Sequence, residues 1–203
     1  MSRELFNILN EIRASYLCTV KKLADSLEEK DNYTKFHCER VTKYSLVIAK
    51  KMGLNEEELL SLEFAGLLHD IGKISIPSEI INKEGKLTSE EYEIIKRHPE
   101  TGYDLLKSMT FLDSSNRILL QHHERIDGKG YPYGLEANEI DKLAKILAVA
   151  DAYDAMTTIR PYRIDKLSNE QAIIEFVRHK NTQFDEIVVD IFVDILSRGD
   201  MAS

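Results

Sequence analysis

Apolar residues recur every three or four positions along most of the chain, while period-2 alternation is scarce, so the pattern predicts helices rather than strands. Leu5, Leu9, Ile12, Tyr16, Val20, Leu23 and Leu27 form one narrow stripe on a long first helix. Such a stripe serves either to pack on the chain's own core or to dimerise and relay a signal. A second helix is expected from Tyr33 through Val41, Tyr44 and Ile48 to Met52, stopped by Gly53. Asn55 and Glu58 form a capping-box pattern that opens a third, apolar at Leu59, Leu62, Leu67 and Leu68, reaching His69-Asp70 just before Gly72. Pro77 starts a connection; Thr88 with Glu91 caps a helix ending near His98, and Pro99 suits the first turn of the next, through Leu105 and Leu106. Ile118, Leu119 and Leu120 lead into His122-His123-Glu124, and the stretch Asp127 to Gly134 is dense enough in turn formers to be a loop. Helical pattern resumes at Leu143, Ile146, Leu147 and Ala150, leading to Asp151, and Ser168 with Gln171, then Asp185, open two final helices. The expected fold is all-α: a multi-helix domain over residues 31–203 behind a helix over residues 1–30.

Composition adds bounds. With 203 residues, 43% hydrophobic and 31% charged, the chain suits one soluble globular domain with a short appendage. No apolar run approaches the roughly 20 residues of a membrane span, and the N-terminus lacks a signal-peptide core. Cys18 and Cys38 make no CxxC pair, which favours a reducing, cytoplasmic setting. A net charge of -8 opposes binding to duplex nucleic acid, whose affinity comes from Lys and Arg against phosphates. The histidines are unevenly placed: five of six (His37, His69, His98, His122, His123) lie in the first two-thirds, with His179 alone reading as a surface residue.

These five with Asp70 and Asp151 are too many donors for one tetrahedral site and suffice for two ions, since a carboxylate can bridge them and offset their charge. Asp151 is the most telling, because a carboxylate in an Ala-Val-Ala run is costly unless paired or metal-bound.

The motifs His69-Asp70-Ile71-Gly72-Lys73, His122-His123-Glu124, Asp127-Gly128 and Gly130-Tyr131-Pro132 resemble the HD-GYP domain, a subclass of the HD metal-dependent phosphohydrolases. Matching stretches also include Asp31 to Thr34 before His37, His98 to Gly102, Ala150 to Met156, Arg160-Pro161-Tyr162-Arg163 and Thr182 to Asp185, so the resemblance runs from about Asp31 to Leu196. It implies an HD-domain helical bundle that hydrolyses cyclic di-GMP, a bacterial second messenger, to pGpG and in some members to GMP. Carried over by residue, one metal would take His37, His69, Asp70 and Asp151. The other would share Asp70 as bridge and take His98, His122 and His123. The family's metals are typically iron or manganese.

Two metals would lower the pKa of a bridging water and draw charge from the phosphoryl oxygens. Beside them, the resemblance makes Asp70 and Lys73 catalytic, Lys73 stabilising developing charge or the leaving group. It also puts Lys73, Tyr131, Arg160 and Arg163 at the substrate, guanidinium groups forking onto phosphate or guanine and the ring stacking on a base. By residue type alone Lys73 would be an exposed lysine and Arg163 a surface partner of Asp165. Two departures are visible. Tyr33 stands where some members carry a third-metal glutamate, with Glu29 and Asp31 off that spacing, so two metals are expected. Ile159 stands where an acidic residue often precedes the Arg-Pro-Tyr-Arg segment. Hydrolysis of another cyclic dinucleotide and non-catalytic reception of cyclic di-GMP are the alternatives, with a homodimer or upstream signalling partner engaged through the first helix.

Overall fold

The structure, a computed structural model, describes residues 15, 16, 18–20, 22, 36–158 and 166–199. The described residues form helices joined by turns and two isolated β-bridges, Asp127 with Glu136 and Lys180 with Phe184. In chain order the α-helices are α1 (His37–Lys51), α2 (Glu56–Leu68), α3 (Ser78–Ile81), α4 (Ser89–Ile95), α5 (His98–Leu106), α6 (Asp113–Gln121), α7 (Lys142–Thr157), α8 (Asn169–Arg178) and α9 (Glu186–Arg198); short 3-10 helices cover Ile71–Ser75 and Thr110–Leu112. None is long and apolar enough to cross a membrane.

The capping signals act where the sequence places them. Asn55 with Glu58, Thr88 with Glu91 and Ser168 with Gln171 each close a reciprocal capping box, and Asp185 caps α9. Gly53 stops α1 at a φ of 73°, a left-handed conformation that suits glycine. Three boundaries differ from expectation. The helix expected from Tyr33 begins at His37, behind Phe36 at a left-handed φ of 64°. Pro77 is the N-cap of the short helix α3 rather than part of a plain connection. His98 does not end α4, which stops at Ile95; it opens α5, because Pro99 fits a first helical turn, where its missing N–H is not needed.

Helix α7 is the axis of the fold. Its run of Leu143, Ala144, Ile146, Leu147, Val149 and Ala150 is buried on almost every side, against Val41 and Ile48 of α1, Leu62 of α2, Ile118 of α6, Phe176 of α8 and Phe192 of α9. A helix apolar all round is a central one. Helices α1 and α2 approach closely at Gly66, where a Cβ would lie 2.6 Å from Thr42 Oγ1. That contact sets His37 beside His69, ring centroids 5.2 Å apart.

The expected long first helix falls mostly on positions outside the described residues, including Leu5, Leu9, Ile12, Leu23 and Leu27. Residues 15, 16, 18–20 and 22 are helical. Val20 is buried with Phe64, Leu67 and Leu68, so there the stripe packs on the chain's own core, whereas Tyr16 is exposed and stacks its ring on the equally exposed Phe111 at 4.3 Å.

Candidate metal centre

Helix ends deliver most of the expected ligands. His37 is the first residue of α1, His69 caps the end of α2, His98 opens α5, and His122 caps the end of α6 with His123 beside it. Asp70 precedes the 3-10 turn, and Asp151 projects from the middle of α7. His37, His69, Asp70, His98 and His122 are buried, while His123 and Asp151 are half-buried.

All seven side chains converge. Asp70 uses its two oxygens differently: Oδ2 lies 3.5 Å from His69 Nε2 and 3.7 Å from His37 Nε2, whereas Oδ1 lies 3.5 Å from His98 Nε2. Asp151 Oδ1 is 3.3 Å from His37 Nε2. Three sets of donor atoms each fall within 4.8 Å of one another: His37, His69 and Asp70; His98, His122 and His123; His69, His122 and Asp151.

Hydrogen bonds fix the tautomers. The Nδ1–H groups of His69, His98 and His122 donate to the carbonyls of Gly66, Ile95 and Leu119, each three residues earlier, and His37 Nδ1 donates to Asp154 Oδ2. A carbonyl only accepts, so the three carbonyl-tethered rings carry their proton on Nδ1 and, when neutral, keep an Nε2 lone pair turned inward. His98 Nε2 and His122 Nε2 therefore face one another at 3.3 Å as two lone pairs, an arrangement unfavourable unless a cation lies between or beside them. Buried His69 Nε2 has no hydrogen-bond partner among the described residues. An orphaned acceptor, opposed lone pairs and second-nitrogen tethering together fit divalent metal ions.

The electrostatics agree with that donor set. Burial, with His123 nearby, lowers His98 to about 3, and burial lowers His123 to about 4. Burial and the same neighbour push His122 well below its ordinary value. These rings are neutral at pH 7 and able to ligate. Burial opposes charge on His37, yet its bonds to Asp151 and Asp154 raise it to about 9. Burial would likewise raise Asp70 and Asp151; Lys73 and the surrounding histidines hold Asp70 well below the usual carboxylate range, and the His37 bond does so for Asp151.

The centre opens into a cavity of about 1470 Å³. Lys73 lies on its wall with Nζ 2.7 Å from Asp70 Oδ2. The Tyr131 ring forms another wall, its centroid 4.6 Å from that of His123, and its N–H donates to His123 O at 3.2 Å. Gly130 permits this fold-back, since a Cβ there would lie 2.4 Å from Arg125 N. Arg160 and Arg163 lie outside the described residues, as do Tyr33, Ile159, Glu29 and Asp31. His179 stands at the cavity's edge, 43% exposed and 3.6 Å from Glu175, as a surface residue would.

Asp154, Arg40 and Glu124 also support the site, though no sequence motif by itself gives them a role. Asp154 is fully buried, and its spacing of three from Asp151 in the same apolar run was the available signal. Glu124, 4% exposed, accepts from Tyr133 N at 2.8 Å and Leu135 N at 3.0 Å, clamping the turn after Tyr131.

The sequence model of the HD domain family matches residues 19–188. The chain is 38% identical over 192 residues to the cyclic di-GMP phosphodiesterase response regulator RpfG of Xanthomonas campestris pv. campestris, covering 94% of this chain and 50% of that one. It is 36% identical over 173 residues to 3'3'-cGAMP-specific phosphodiesterase 1 of Vibrio cholerae, covering 84% and 40%. In fold it is similar to Bd1817, an HDG"Y"P protein from Bdellovibrio bacteriovorus, with a TM-score of 0.69 at 22% identity over 96% of this chain and 64% of that one. The chain spans about half the length of the curated relatives it matches.

Proposed function

The chain belongs to the HD domain family, in its HD-GYP subclass, and from that premise we propose that it hydrolyses the phosphodiester bonds of cyclic di-GMP to pGpG with two bound transition-metal ions. The observation that carries the reading is the division of Asp70, one oxygen toward His37 and His69 and the other toward His98. In this proposal one ion takes His37, His69, Asp70 and Asp151, and the other takes Asp70, His98, His122 and His123. Two such ions, iron or manganese, supply Lewis acidity that activates water and withdraws charge from the phosphoryl oxygens.

The chain's own groups do the remaining work. Lys73, 2.7 Å from Asp70, neutralises the buried carboxylate and sits where negative charge develops on a phosphoryl or leaving oxygen. Tyr131 offers a ring face to a guanine and, packed on His123, excludes water from that side of the centre. Arg160 and Arg163 are assigned to the substrate's phosphate or guanine edge. These cations let a strongly acidic chain accept a small anionic dinucleotide. Cyclic GMP-AMP is the second reading, supported by the 36% identity to the Vibrio enzyme specific for it.

Metal content and turnover, measured in parallel for the wild type and Asp70→Asn with iron or manganese under reducing conditions, test the proposal. The expected result is about two ions per chain and hydrolysis in the wild type, and loss of both in the variant. A wild type without bound transition metal refutes it, and comparing turnover of cyclic di-GMP with cyclic GMP-AMP decides between the substrates. Tight binding without product would favour a receptor.

A further inference from the structure

The site histidines are not tethered alike. His69, His98 and His122 lean on neutral backbone carbonyls of Gly66, Ile95 and Leu119. His37 opens α1 and is tied instead to a carboxylate 117 positions away, Nδ1 to Asp154 Oδ2 at 2.7 Å. Two acidic residues one turn apart on α7 thus grip opposite ends of one imidazole, Asp151 at Nε2 and Asp154 at Nδ1.

Asp154 is itself held. Arg40, one turn after His37 on α1, sends Nε to Oδ1 at 2.6 Å and Nη2 to Oδ2 at 3.0 Å, a two-pronged match of guanidinium to carboxylate. Thr158 Oγ1 donates to Oδ1 at 3.3 Å. A fully buried carboxylate is costly unless paired and hydrogen-bonded, and this one is both.

Building on the two-ion reading, we propose that Asp154, fixed by Arg40, is a positioning residue that orients His37 and strengthens Nε2 as a donor, so that the ion nearer His37 is bound through a carboxylate-backed imidazole and the other is not. Carboxylate contact at the second nitrogen raises ligand basicity, and losing such a partner costs metal affinity about 10- to 100-fold. The two ions therefore respond unequally to one substitution far from the His98 half of the centre.

Stepwise chelator competition on the fully metallated chain reads both affinities without using turnover. Asp154→Asn keeps an oxygen able to accept from Nδ1 but removes the charge; one ion should weaken about 10- to 100-fold and the other should stay within about threefold. Arg40→Lys keeps the charge and loses the fork, so it should weaken the same ion by a smaller factor. The lysine variant, at a position 31% exposed, carries the test if Asp154→Asn does not fold. Equal weakening of both ions would mean general loosening and overturn the inference, as would no change in either variant. A wild type that binds no metal would instead overturn the centre itself and this inference with it.

Discussion

Gly72→Ala tests how the centre is assembled. Gly72 lies in the 3-10 turn after Asp70, packed against the start of α5, and a Cβ there would sit 1.9 Å from His98 O and 2.6 Å from Gly102 N. Both obstacles are backbone, so no side chain can swing aside. Ordinary contact begins at 3.4 Å, and the turn must therefore move away from α5 by about 1.5 Å. Asp70 stands on one side of that seam and His98 on the other, 3.5 Å apart at Oδ1 and Nε2. Metal-ligand distances tolerate only about 0.2 Å, so on the two-ion proposal the ion assigned to Asp70 and His98 should be lost or held much more weakly. Overpacking of this kind costs about 1–3 kcal/mol, which for a chain of this size lowers the thermal midpoint by about 2–12 °C. Metal content after dialysis and circular-dichroism melting of metal-free protein measure the two effects. Gly53→Ala is the control, with φ at 73° but nothing within 4 Å of the added carbon, and should retain both ions. A Gly72→Ala protein with full metal content and an unshifted midpoint would refute the seam argument.

Lys73→Gln should retain both ions and lose about 10²- to 10³-fold in kcat, seen by steady-state kinetics beside metal analysis; an unchanged kcat would remove Lys73 from the chemistry. Glu124→Ala leaves the Tyr133 and Leu135 N–H groups without their acceptor, so KM should rise and the midpoint should fall with metals retained, as kinetics and melting will report. In metal-free protein His37 is raised from 6.5 to about 9, so its contribution to stability is fully present below pH 6.5 and lost as pH rises through about 9. The metal-free midpoint should fall across that window. Metal uptake near pH 7.5 should expel about one proton, measured by calorimetry in buffers of different ionisation enthalpy.

Helix starts and stops were legible in the sequence because their causes are local. Asn55 reaches Glu58, Thr88 reaches Glu91, and Gly53 turns left-handed, all within a few residues. The donor inventory was legible too, since few residue types offer a lone pair to a metal and the chain gathers them beside helix ends. His98 shows the limit of even local reasoning: two adjacent helices share one boundary, and Pro99 assigned it to the second.

Nothing local could say which Asp70 oxygen faces which histidine, that the Nδ1 atoms are already committed, or that Asp154 reaches across from α7 to α1. Those relations join segments separated by up to 117 positions, and packing around α7 sets them. By itself the sequence determined an all-helical chain carrying the side chains of a metal site. Tertiary structure decided that those side chains converge and which other residues hold them, because periodicity and capping act within a turn or two of helix whereas the centre is built between helices.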